Sequence, residues 1–353
     1  MKRKLSAIAV AAALAYAGSA FASSNDATVT QTGNDNSAVV AQDPFGGSAS
    51  ASVNQDGDGN VAGVTQTGDG FNMSATVSST GNANSANVLQ DGTNNASASV
   101  SQTGDGNSAT VNQQPAGGRF SNEAIASVTQ AGTSNTAVIN QVGTNCAACS
   151  GNGVSATILQ VDGSSNSFAQ IDQIGPALRT SALINQNTAF TSDARITQTG
   201  DDQNASVVQD FVSRGHALIN QQGARNIASI SQTNAVNRSS ATILQNGNDN
   251  VASHSAAFNS NDNTSFIQQT GNANNASVVQ GKVPQVAGDP SSATWNEAHI
   301  TQNGSANVAT IGQFGLGTSS NPNQATITQN GFGNNAAITQ HGGAGNSAVV
   351  TQN

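Results

Sequence analysis

The sequence predicts an all-β fold: a β-solenoid of about 13 two-strand coils, built from strand–turn–strand repeats and stacked in amyloid-like cross-β fashion. Three observations predict it. Gln recurs along the chain in a register that never closes below 11 residues. Small apolar residues precede each Gln at alternate positions. Bulky core formers are scarce: the 353 residues are 8 % charged and 4 % aromatic and include 37 Gly. Such a composition alone suits a disordered chain, because few large apolar groups offset the entropy of ordering. The strict columns are what argue for order.

Twenty-six register slots run from Gln31 to Gln352, and Gln fills all but two of them, Ser79 and Ala256. Two residues before the slot stands Val or Ile, with His254 the one exception. Four before stands Ala, with Ser265 the one exception; six before, Asn is the commonest choice. The unit Asn-x-Ala-x-(Val/Ile)-x-Gln, seen whole at Asn36, Ala38, Val40 and Gln42, has the period of a strand. Its four named residues share one face, whereas a helix would scatter them. Val and Ile suit a pleated surface, and Ala beside them allows a thin dry seam. Gln and Asn in fixed columns are expected to bond to their copies above and below, which satisfies polar groups that are costly to bury alone.

After each Gln, the tightest connections read x-Gly-x-x before the next Asn, as in Gln102-Thr103-Gly104-Asp105-Gly106-Asn107. Gly and Asp there fit the backbone of a sharp turn. Tight and longer connections alternate, as expected when two strands make one coil with one tight corner and one tolerant corner. The phase of that alternation slips between residues 160 and 198, which would move the long loops from one edge to the other. At roughly 4.8 Å per coil the stack is about 60 Å long.

The repeat resembles that of the curlin family, whose motif is Gln-x-Gly-x2-Asn-x-Ala-x3-Gln. Gln31, Gly33, Asn36, Ala38 and Gln42 match it in full, as do Gln55, Gly57, Asn60, Ala62 and Gln66. So do Gln102, Gly104, Asn107, Ala109 and Gln113. Further copies run from Gln130 through Gly132 and Asn135 to Gln141, and from Gln221 through Gly223 and Asn226 to Gln232. Three more span Gln269, Gly271, Asn274 and Gln280; Gln302, Gly304, Asn307 and Gln313; and Gln329, Gly331, Asn334 and Gln340. Ser79 starts an otherwise complete copy, and at Gln198 the Asn position holds Gln203. The resemblance implies an extracellular functional amyloid of bacterial biofilms, exported unfolded through an outer-membrane secretion pore and added to a fibre started by a related nucleator or major subunit. This chain departs from familiar members by entering its first repeat at Asn25 without a glycine-rich leader, and by carrying many more repeats with irregular insertions.

Residues 1–22 read as a signal peptide: Lys2, Arg3 and Lys4 precede an apolar run from Leu5 to Ala17 too short to cross a bilayer, and Ala20-Phe21-Ala22 offers a cleavage site. Residues 23–353 then form one repeat domain, with long insertions near 114–127, 142–155 and 281–297. Loss of the three basic residues makes the mature chain more acidic than the formal −9 of the whole. Scattered Lys and Arg on an acidic chain give no footprint for nucleic acid, and nothing argues for membrane insertion. The first and last strands, Asn25–Gln31 and Asn346–Gln352, are consensus copies without the polar cap of a monomeric solenoid, so both ends are expected to template another copy.

Other motifs lend themselves to blander readings. Cys146 and Cys149 lie in an insertion; a local disulfide leads, ahead of inert thiols and of a metal or redox role. Gly104 to Ala109 imitates a dinucleotide fingerprint, but a strand follows where that motif needs a helix. The Asp-Gly-Asp-Gly run from Asp56 could suggest calcium, yet acidic residues are missing from many turns. The turn residues Asp56, Asp58, Asp69, Asp105 and Asp201 could instead stack like charges and restrain assembly. His216, His254, His299 and His341 are scattered, and Glu123 and Glu297 lie in or beside insertions, so no catalytic grouping and no cofactor is expected. Trp295 sits in an insertion best read as tolerated decoration. Two functions stand against each other: an extracellular, self-assembling structural subunit for biofilm matrix and adhesion, and a monomeric secreted solenoid that binds calcium, glycan or ice through its outer face.

Overall fold

A computed structural model describes residues 12–13, 24–44, 47–68, 70–114, 121–143, 153–175, 179–257, 261–281, 295–315 and 317–353. The chain is a β-solenoid, and no helix occurs among the described residues. One sheet holds 13 strands, from Asn25–Thr32, Ala49–Asp56 and Met73–Thr80 to Asn335–His341. The other runs from Ser37–Pro44 and Val61–Gly68 to Ser347–Gln352, and the pair Ala12–Ala13 lies beside Val39 and Val40 at its outer edge, making 14 strands. The chain alternates between the sheets, so each coil takes one strand from each.

All strand pairs are parallel, and the register sets like on like: Ala27 beside Ala51, Val29 beside Val53, Gln31 beside Gln55. Burial alternates along each strand, as in Ala49–Asp56, where Ala49, Ala51, Val53 and Gln55 are buried and the residues between them exposed. The Ala and Val or Ile columns of both sheets merge into one seam. A side chain slipped by one residue would leave that seam for solvent, so the columns pin the register at every coil.

The slip in turn phase has a structural cause. Up to residue 141 the tight corner leads from the 13-stranded sheet to its partner, as at Gln31 to Gln42; after residue 198 it is the opposite corner that is tight, as at Gln198 to Gln209. The long connections therefore do move from one edge of the stack to the other. The extra residues at the relaxed corner make a narrow third side: Ser165, Phe190 and Ser213 bridge in parallel, Ser213 pairs with Asn237, and Asn237 bridges to Asn261. Val212, Val236 and Ala256 form a small separate core beneath it. Before the slip, the opposite corner carries one comparable patch, Thr93–Asn94 paired with Ser121–Asn122.

The insertions are shorter than expected from the sequence. Gln114 and Val142 still belong to strands, and regular pairing resumes at Ala124, Val154 and Asn296. Residues 115–120, 144–152 and 282–294 lie outside the described residues, and Cys146, Cys149 and Asp69 with them.

Candidate assembly site: the amide columns

The Gln slots form two hydrogen-bonded ladders along the stack. In the sheet from Ser37–Pro44 the ladder is continuous. Gln42 Nε2 donates to Gln66 Oε1, Gln66 to Gln90, Gln90 to Gln113, and the chain of donors runs on through Gln141, Gln173, Gln198, Gln221, Gln245, Gln269, Gln302 and Gln329 to Gln352, every link 2.8–3.0 Å. The amide's other hydrogen crosses the seam: Gln66 Nε2 donates to the Ser50 carbonyl at 3.1 Å, and Gln113 Nε2 to those of Ser97 at 3.2 Å and Ala124 at 3.0 Å. These side chains are almost fully buried, so each link also ties one sheet to the other.

In the 13-stranded sheet the same ladder has two defects. Gln31 donates to Gln55 at 2.7 Å, but Ser79 follows, and its hydroxyl donates onward to Gln102 while Gln55 Nε2 is left without a partner. Links resume from Gln102 through Gln130, Gln160, Gln186 and Gln209 to Gln232. Ala256 carries no amide, and the ladder restarts from Gln280 through Gln313 to Gln340. The apolar corner explains why Ala fits there: Ala256 is buried against Val212 and Val236, where a longer amide would crowd the third side.

Asn forms a counter-running ladder. The backbone N–H and Nδ2 of Asn60 donate to Asn36 Oδ1 at 2.9 and 3.1 Å, and Asn84 and Asn107 repeat the pattern on Asn60 and Asn84. Asn135 continues it through its backbone N–H. Nδ2 also donates to a glycine carbonyl on the next coil, as from Asn36 to Gly57 at 2.7 Å and from Asn60 to Gly81 at 2.8 Å. After the phase slip the ladder reappears at the opposite corner in Asn226, Asn250, Asn274, Asn307 and Asn334. Asn thus marks the tight corner on both sides of the slip, and a second ladder of Asn263, Asn296, Asn323 and Asn346 forms at the other corner in the last coils. The tight-corner signal stands in the sequence as Asn placed five residues after the previous slot.

Gly57 shows what the turn glycines do. Its φ of +114° lies in the left-handed region, and a Cβ there would collide with the Gly81 carbonyl of the next coil. Gly33, Gly104, Gly132, Gly223, Gly271, Gly304 and Gly331 share that left-handed backbone. Across the tight corner, the expectation that turn aspartates stack on one another is overturned. Asp58 accepts hydrogen bonds from Asn34, and Asn82 both accepts from the Asp58 backbone and donates to Asp105. Asp56 stands between Thr32 and Thr80. Alternating amide with carboxylate keeps like charges about two coils apart, which spares the stack their repulsion.

Sequence reasoning missed an ionic ladder at the corner that becomes tight. Arg179, Asp202, Arg225 and Asp249 occupy successive coils in the left-handed turn position, with Arg225 forking onto Asp249 at 2.7 and 2.8 Å. Hydrogen bonds from Arg179 and Arg225 hold the Asp202 and Asp249 carboxyls below the ordinary carboxylate range. A matching fork joins Arg238 to Asp262 at the other corner. The histidines do not converge: His216 lies near Asp193, His299 against Phe266 and His341 on Phe314, while His254 is buried in the seam. Glu123 and Trp295 both take left-handed corner positions, and Glu297 accepts a hydrogen bond from Gln324. Among the described residues no group of three or more His, Cys, Asp or Glu could hold a metal, and no helix is long and apolar enough to cross a membrane.

The family model of the curlin associated repeat matches residues 22–57, 81–114, 293–321 and 321–353. Four segments of the chain are curlin associated repeats. The matched segments include both outermost regions of the stack, and the unmatched middle carries the third side and the swapped corner, where Ser167, Ser192, Gly215 and Ser239 replace the Asn of the repeat. Curlin repeats on a β-solenoid fit a curli-type amyloid subunit. No curated protein matches the chain.

Proposed function

We propose that this chain is a secreted structural subunit that assembles end to end into extracellular amyloid fibres serving biofilm matrix and surface attachment. The observation that carries the reading is the polarity of its amide columns. Every Gln–Gln link donates toward the later coil, and every Asn–Asn link of the inward column donates toward the earlier one. The coil of Asn25–Thr32 and Ser37–Pro44 therefore offers Gln acceptors and Asn donors along the axis. The coil of Asn335–His341 and Ser347–Gln352 offers the converse. Two copies stacked in one sense continue both ladders, with Gln340 meeting Gln31 and Gln352 meeting Gln42; stacked in opposite senses, like would meet like. Such a contact is heterologous and does not close, which is the geometry of a filament. In the full chain Ala12–Ala13 occupies the edge beside Val39 and Val40, so removal of residues 1–22 on export would free that edge. The curlin repeats support a cell-surface location and a structural role; in this reading the chain leaves through an outer-membrane pore and joins a related nucleator or major subunit.

The chain from Ser23 onward, purified unfolded and returned to buffer at tens of micromolar (an order-of-magnitude choice), is expected to form thioflavin-positive, sedimenting filaments by electron microscopy. Fragments of those filaments should seed fresh chain. A folded β-rich particle that stays monomeric for days would refute assembly and favour the binding-module reading.

A further inference from the structure

The three strongest departures from the columns fall on a single coil. His254 replaces the central Val or Ile, Ala256 replaces Gln, and Ser265, on the facing strand, replaces Ala. His254 is 2 % exposed and lies between Ile230 and Val278 in its sheet. Among the described residues neither ring nitrogen has a hydrogen-bond partner, and the buried Ser265 hydroxyl has none either. The same coil interrupts the Gln ladder, since Ala256 stands between Gln232 and Gln280. It thus combines two unpaired polar groups with one missing link, each of which weakens a buried stack.

We infer that the coil from Val251 to Gln269 is an acid-sensitive break point, where the stack opens and divides while the coils on either side remain closed. Among the described residues no ionisable group faces His254. The inward residues of the adjoining strands are Ala228, Ile230 and Gln232 on one side and Ala276, Val278 and Gln280 on the other; across the seam stand Ser265, Ile267 and Gln269. Asp249, Asp262, Glu297 and His299 all point outward or sit at the corners. Nothing is therefore placed to offset an imidazolium, and burial pushes the ring down to about 4 from 6.5. In the opened coil the ring regains its ordinary affinity for a proton. The folded state therefore binds fewer protons, and closure, complete above pH 6.5, weakens as pH falls toward 4. The coils before and after carry Ile230 and Val278 at the same position and lack this response.

Hydrogen exchange followed by mass spectrometry on the full chain, assembled or not, tests the inference. Once corrected for the intrinsic pH dependence of exchange, protection at residues 251–257 should fall by up to roughly tenfold per pH unit between about pH 6 and 4.5. Residues 204–213 and 323–332 should change far less. His254→Val should abolish the acid response. The double change His254→Val, Ser265→Ala, which removes both unpaired polar groups and restores the apolar consensus, should raise protection at neutral pH as well. Equal protection across this coil and its neighbours at low pH, or an undiminished acid response in His254→Val, would overturn it.

Discussion

Replacement of Gln113 by Ala probes the amide ladder at its most regular point. Gln113 is fully buried, accepts from Gln90 Nε2 at 2.8 Å, donates to Gln141 Oε1 at 2.9 Å, and reaches the Ser97 and Ala124 carbonyls across the seam. Truncation removes the acceptor of one Gln90 hydrogen and the donor to Gln141. Each buried amide group left without its partner costs about 1–3 kcal/mol, so the pair amounts to about 2–6 kcal/mol before any cavity is counted. Gln90 keeps its bond to the Ser74 carbonyl at 3.1 Å, which places the expectation in the lower half of that range. Gln113→Leu restores volume but not the links and should recover only the cavity part. Because each coil touches only its neighbours, the loss should be local. Hydrogen exchange in Ser85–Asp91, Ser108–Gln114 and Thr136–Val142 should accelerate by about tenfold or more, while strands several coils away are unchanged. Thr110→Ala, on the outer face of the same strand, is the control and should change stability by no more than about 0.5 kcal/mol. If Gln113→Ala is no more costly than Thr110→Ala, the ladder does not hold the coils together and the account given above fails.

Other perturbations test neighbouring parts of the argument. Ser79→Gln should give Gln55 Nε2 its missing acceptor and stabilise that coil by about 1 kcal/mol, visible as slower exchange in Met73–Thr80; faster exchange would mean the site cannot hold an amide. Asn82→Asp would set carboxylates on three successive coils with Asp58 and Asp105, so assembly should slow at low ionic strength and recover in salt, read from thioflavin lag times. The Arg–Asp ladder carries its own pH signature. Because the folded carboxyls of Asp202 and Asp249 lie below their ordinary 3.8, their stabilisation is present above that value and is lost as pH falls through the lower folded value. Carboxyl-carbon titration should show both midpoints depressed, and Arg225→Ala should return that of Asp249 toward 3.8. These groups are exposed, so a strong salt dependence is expected as well.

The solenoid was legible in the sequence because each column is a local, repeated decision. Ala, Val or Ile, and Gln at alternate positions before every slot specify which face turns inward, and parallel stacking on identical neighbours then satisfies every coil in the same way. The Gln and Gly positions singled out in the sequence stand in the ladders and left-handed turns described above, and the corner exchange was visible as a change in spacing. The aspartates misled because spacing alone does not tell which residue lies above which. Asp58 and Asp105 look like neighbours in a list of turn residues, yet Asn82 separates them in the stack. The ladder of Arg179, Asp202, Arg225 and Asp249 went unseen for the same reason: its members are some two dozen residues apart and belong to no motif.

By itself, then, the sequence determined strand period, inward face, coil count and the corners at which the chain turns sharply, since all of these follow from backbone geometry within a dozen residues. Only the tertiary structure decided which way the amides point. A Gln can donate up or down the stack with equal ease in isolation; the carbonyls it meets across the seam, such as that of Ser50 opposite Gln66, set one sense for a whole column. Tertiary packing likewise brought His254, Ala256 and Ser265 onto one coil, and through Val212 and Val236 it made room for the missing amide. The physical reason is common to both: hydrogen-bond direction and cavity filling depend on what lies one coil away, and that distance, about 4.8 Å in space, is more than twenty residues along the chain.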